Sequence, residues 1–219
     1  AVRRSDSQPR VIKLHLFIYI AAAMVFWGCG GSKSQSADNT IFVSIAPLKP
    51  IVEGIVGEDY SVEVLVPMGA SPETFEPTPK QFIALNKAVM VFGTGLLDFE
   101  KALLEKIHDQ SKVINLSHGV ATIAGSCSHT HHGKHCHHGV DPHIWCSPKA
   151  LTTVAQNAYS AVVAQMPERD YSANFALLKQ KLSQLDNDVE TMCSSASLPY
   201  FIIYHPALTY LARDYNLEQ

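Results

Sequence analysis

Between residues 41 and 116 the apolar side chains switch repeatedly between two periods, and that alternation restricts the chain to few folds. IFVSIAPL (41–48) reads as a strand running into a proline-marked turn, and IVEGIVG (51–57) has helical spacing that stops at Gly57. SVEVLVP (61–67) alternates as a second strand. The loop MGASPETFEPTP (68–79) holds three prolines and ends with Thr78 placed as an N-cap and Pro79 at the first helical position. KQFIALNKA then predicts a short helix, VMVFGTG a buried strand, LLDFEKALLEKIH an amphipathic helix and KVINLS another short strand. Steady alternation of this kind predicts an α/β fold, a parallel sheet with crossover helices.

Downstream, Ser147-Pro148 starts a capped helix that should run to about Met166. Residues 171–193 predict one long helix, over 30 Å at about 1.5 Å per residue. A crossover needs less, and such a helix suits the joining of two lobes. PYFIIYH (199–205) reads as a new strand and PALTYLARDY as a new helix. One βα pair cannot cover its own sheet, so most of a second lobe is expected to be missing from this chain. The expected organisation is an N-terminal α/β lobe over 41–168 with a histidine-rich loop at 126–140, a linking helix at 169–194, and the start of a C-terminal α/β lobe at 195–219.

The first 40 residues bear on compartment. Arg3, Arg4, Arg10 and Lys13 precede LHLFIYIAAAMVFW, an apolar run of 14 residues. A basic stretch, a short apolar core and a small-residue end describe a secretory signal (1–29), and the run is short for a membrane span. FWGC at 26–29 resembles a bacterial lipoprotein box, which implies that Cys29 is acylated and becomes the mature N-terminus. The glycine- and serine-rich residues 30–40 would then be a tether between membrane and domain. The whole chain carries a net charge of -3, which removes the electrostatic case for a nucleic-acid partner. A monomer is expected. Cys127, Cys136, Cys146 and Cys193 remain, as disulfide partners in an oxidising envelope or as thiolate ligands.

Of 11 histidines, seven fall between His129 and His143. His129, His131, His132, His135, His137 and His138 sit among Gly, Lys, Thr and Cys, too polar a run to hold one geometry. His143 instead precedes Ile144 and Trp145. Ligands in open α/β sheets collect beyond the carboxyl ends of the strands, and three metal-binding side chains map there: Glu73 after the strand at 61–67, His143 after the strand at 113–116, and His205 at the end of 200–204. Two neutral imidazoles and a carboxylate supply most of a tetrahedral zinc set. Taken singly, each has a plainer reading: a solvated loop acid, a packed loop histidine, a helix-capping histidine.

GASPETFEPTP, DPHIWCSP and YHPALTYLARDYNL resemble, in order and spacing, the motifs of the cluster 9 metal-binding lipoproteins, the zinc- and manganese-binding solute proteins of ABC importers. The resemblance covers residues 41–219 and implies two α/β lobes joined by a rigid helix, with the metal between them. By motif it places the first ligand, usually histidine, on Glu73, the second on His143 and the third on His205, with a fourth, acidic ligand beyond residue 219. A carboxylate at 73 makes the set harder and more negative. A histidine-rich insert ahead of the second ligand goes, in this family, with zinc rather than manganese; its loosely spaced imidazoles would act as weak auxiliary sites.

The resemblance thus implies a binding protein that captures Zn²⁺ outside the cytoplasm, in the periplasm or at the cell surface, and delivers it to an ABC permease, with Mn²⁺ the alternative cargo. A surface metal store or adhesin and a zinc hydrolase are competing classes. The chain has no HExxH and no nucleophile elbow, which disfavours the hydrolase.

Overall fold

The computed structural model describes residues 39–72, 75–125 and 139–219. Four strands form one parallel sheet: β1 (Thr40–Val43), β2 (Ser61–Val64), β3 (Met90–Gly93) and β4 (Val113–Asn115), in the order β2-β1-β3-β4. The register pairs Ile41 with Val62 on one side and with Met90 on the other, and Phe92 with Ile114. β3 is buried along its whole length, which explains why it reads as a continuous apolar run. β1 alternates, with Ile41 and Val43 fully buried.

The crossovers are helical: α1 (Lys49–Val56) between β1 and β2, α2 (Pro79–Lys87) between β2 and β3, and α3 (Asp98–Leu104) between β3 and β4. α1 ends at Gly57, whose φ of 62° lies in the left-handed region that favours glycine. α2 starts as expected, in a capping box. The Thr78 hydroxyl accepts from the Gln81 amide, and the Gln81 side chain accepts from the Thr78 amide at 2.9 Å. At the end of β3 the buried Glu100 carboxylate accepts from the Thr94 amide at 2.9 Å and the Thr94 hydroxyl at 2.7 Å.

Two long helices follow, α4 (Pro148–Gln165) and α5 (Ser172–Ser194). Ser147 caps α4, accepting from the Ala150 amide, with Pro148 at the first position. Phe175, Leu178 and Leu182 lie at i, i+3 and i+7, so α5 turns one apolar stripe inward, against α4 and α1. Phe175 stacks on Tyr159 with ring centroids 4.1 Å apart. Gly54 of α1 lets α5 approach closely, since a Cβ there would stand 3.2 Å from a Leu178 methyl.

The expected strand at 199–205 is corrected. That stretch has no sheet partner among the described residues beyond one isolated parallel bridge, Tyr200 with Glu218. An apolar run becomes a strand only where another strand meets its amides, and Leu198, Tyr200, Ile202, Ile203 and Tyr204 instead lie exposed. The last helix, α6 (Thr209–Asp214), is shorter than expected, because residues 206–208 stay outside it. Among the described residues, no helix is long and apolar enough to cross a membrane.

Candidate metal site

Two of the expected ligands meet. The Nε2 atoms of His143 and His205 lie 3.1 Å apart, with ring centroids 5.0 Å apart and the planes at 81°. Two imidazole nitrogens bound at about 2.0–2.1 Å to one tetrahedral ion stand roughly 3.3 Å apart. The pair is therefore already spaced for a shared metal.

His143 is held by its surroundings. It precedes a 3-10 turn, Ile144–Cys146, in which Ile144 is fully buried. The Trp145 ring meets its imidazole edge-on at 5.2 Å. On the other side, the Asp141 carboxylate lies 2.8 Å from the His143 Nδ1 and also accepts from the His143 amide at 2.9 Å. Burial raises the Asp141 pKa, but hydrogen bonds from the His143 ring and amide and from Thr209 lower it more, so the carboxyl titrates below its ordinary value.

An ionised carboxylate can only accept, so the network assigns the His143 proton to Nδ1 and leaves Nε2 with a free lone pair. A carboxylate behind a metal-binding histidine is the usual means of fixing that tautomer. With that tautomer, the 3.1 Å contact has Nε2–H of His205 as donor and Nε2 of His143 as acceptor. An ion entering between them would take both lone pairs, with the His205 proton moved to Nδ1. His205 is exposed, so its ring can adjust, whereas His143 is partly buried and braced.

Asp141 was invisible as a functional residue in the sequence, although DPHIW contains it. The available signal was its position two residues before a histidine. The stretch around it is orderly: Ala124 and Val140 form an antiparallel bridge, the Gly125 amide donates to the Gly139 carbonyl at 2.8 Å, and the Asp141 amide to the Ile123 carbonyl at 2.8 Å. Residues 123–125 and 139–141 thus make a narrow neck on either side of the histidine-rich segment.

The other expected site residues lie outside the described residues: Glu73, the six loop histidines His129, His131, His132, His135, His137 and His138, and Cys29. Among the described residues no group of three or more His, Cys, Asp or Glu gathers to hold an ion. The pair needs at least one more donor. Cys127 and Cys136 also lie outside, while Cys146 and Cys193 are free thiols. Burial and the nearby Asp141 push the Cys146 thiol up to about 11, which makes it a poor thiolate donor at neutral pH.

The family described as zinc-uptake complex component A, periplasmic, matches residues 41–219. The zinc-binding protein AdcA of Streptococcus pyogenes serotype M3 is 29% identical over 231 residues, an overlap of 94% of this chain and 44% of that protein. The high-affinity zinc uptake system protein ZnuA of Bacillus subtilis is 29% identical over 220 residues, covering 93% of this chain and 69% of that protein. The chain thus spans less than half the length of the streptococcal relatives. A crystal structure of a ZnuA deletion mutant with zinc bound superposes with a TM-score of 0.72 at 33% identity, over 82% of this chain and 68% of that one. With that match running over residues 41–219, the chain belongs to the family of periplasmic zinc-uptake component A proteins.

Proposed function

We propose that the chain is the metal-capturing part of a zinc ABC importer, working outside the cytoplasm and presenting Zn²⁺ to a membrane permease. The observation that carries this reading is the Nε2 to Nε2 approach of His143 and His205, with the Nδ1 of His143 tied to Asp141. Glu73 is the third ligand, from the loop between β2 and α2. The family resemblance implies a fourth, acidic ligand. Relatives named for zinc binding and zinc uptake support zinc as the cargo.

The protein binds and hands over rather than catalyses. Neutral imidazoles are good zinc donors, and each loses its hold when protonated, so the site releases metal as the pH falls. The six loop histidines make weak, exchangeable sites beside the tight one. Residues 1–29 are an export signal whose Cys29 carries the lipid, and 30–40 are the tether; a pneumococcal AdcA relative bears the name lipoprotein. Residues 41–168 are the first lobe, 169–194 the linking helix and 195–219 the beginning of the second lobe of a monomer. The carboxylate at 73 favours Mn²⁺ as the competing cargo, since hard oxygen donors suit manganese.

Titration calorimetry of the complete gene product with Zn²⁺ and with Mn²⁺ tests the proposal. One tight zinc ion plus several weak ones is expected. Weak ions alone would make the protein a metal store, and tighter Mn²⁺ than Zn²⁺ would make it a manganese importer component.

A further inference from the structure

His143 takes its orientation from Asp141, and Asp141 is itself held from a distant part of the chain. Its amide is fixed in the neck, donating to the Ile123 carbonyl at 2.8 Å. Its carbonyl accepts from the Tyr210 hydroxyl at 2.7 Å, and that hydroxyl also accepts from the Ile123 amide at 3.1 Å. Tyr210 is fully buried, with the Arg213 guanidinium 5.0 Å from its ring centre. Tyr210 therefore holds Asp141 at its carbonyl, while the neck holds its amide.

Tyr210 lies in the first turn of α6, five positions after His205. The segment that delivers one ligand thus also carries the clamp on the group that orients the other. We propose that Tyr210 is a positioning residue for the metal site, setting Asp141 and through it the lone pair of His143 against that of His205. The proposal rests on His143 and His205 being the ligands. Tyr210 itself is not a ligand. Without the Tyr210 hydroxyl the Asp141 peptide turns, the carboxylate leaves Nδ1, and the His143 ring loses its fixed tautomer.

The test uses the complete gene product and zinc alone, measured by chelator competition for the wild type, Tyr210→Phe and His143→Ala. The absorption spectrum of the Co²⁺-substituted protein and the melting temperature of the metal-free protein accompany it. Tyr210→Phe should lose zinc affinity on the order of tenfold and shift the Co²⁺ bands, while the melting change alone would report packing. If Tyr210→Phe cannot be purified, Tyr210→Leu, which also lacks the hydroxyl, decides. Wild-type affinity and Co²⁺ bands in these variants, with tight binding lost in His143→Ala, would overturn the positioning role and leave the site standing. Tight binding retained by His143→Ala would overturn the site and the positioning role with it.

Discussion

Ser147 and Asp214 are hydrogen-bonded across 67 residues, the Ser147 hydroxyl donating to the Asp214 carboxylate. The same serine caps α4, and Lys149, two residues on, donates to the Asp214 carbonyl at 3.0 Å. Tyr215 extends the contact, its hydroxyl donating to Asp186 of α5 at 2.6 Å. α6 is thereby fastened to the beginning of one long helix and the middle of the other. His205 lies ahead of this fastening and His143 ahead of Ser147, so one set of polar contacts fixes the segments that bear both histidines.

Ser147→Ala removes an N-cap and the partner of Asp214 together. A lost cap costs about 1 kcal/mol and up to about 2. A domain of this size should then melt about 2–8 °C lower, as differential scanning calorimetry would record. A melting curve identical to wild type would mean that the cap is replaced by water.

The two histidines should fail together. His143→Ala and His205→Ala should each weaken tight zinc binding by more than the ten- to hundredfold typical of losing an outer-shell partner. The double variant should be scarcely worse than either single one, because either loss already opens the site. Glu73→Ala should cost less, since water can take its place. Calorimetry on the complete protein measures all four, and simple additivity would argue against one shared ion.

Acid should release zinc well before it affects the orienting carboxylate. Imidazole binds only when neutral, so affinity should fall from about pH 7 to about pH 5, around the ordinary histidine value of about 6.5. Asp141, held below the ordinary 3.8, stays ionised throughout that window. Its lowered pKa means that its contribution to stability is present above 3.8 and disappears only as the pH falls through the lower folded value. Chelator competition across pH, with circular dichroism alongside, should show metal loss with the fold intact.

Replacing residues 126–138 by Asn-Gly should leave the tight site in place and abolish the weak ones. Gly125 and Gly139 already face each other across the neck, and a two-residue turn closes such a pair. Calorimetry decides this, and disappearance of the tight ion would place the site in the histidine run.

Cys29→Ala should move the protein from the membrane fraction to the soluble or unprocessed pool when expressed in a bacterium. The motive is the short apolar run that ends in Gly28-Cys29. Unchanged membrane partition with normal processing would refute acylation at Cys29.

The sheet was legible because its strands are bounded by residues with local meaning. Thr78, Pro79 and Gln81 spell a capping box without any tertiary information, and the buried run 90–92 needs only its apolarity. His143 was legible because Ile144 and Trp145 mark a packed turn. Asp141 was not, because a loop carboxylate has no period, and its place is fixed only when α6 brings Tyr210 against it. Residues 200–204 misled for the opposite reason. FIIY has strand composition, yet strand formation depends on a neighbour that composition does not report.

The neck has a consequence for how this protein can vary. It brings the ends of a 13-residue segment together with two main-chain hydrogen bonds and ties the closure to the buried Tyr210. Once a loop's ends are pinned, its length enters the free energy only logarithmically, and doubling it costs about 0.6 kcal/mol. Insertions, deletions and changes of histidine number between residues 126 and 138 are therefore almost free to the fold. The histidine content of that segment can thus change from one relative to another while His143 and His205 keep their spacing.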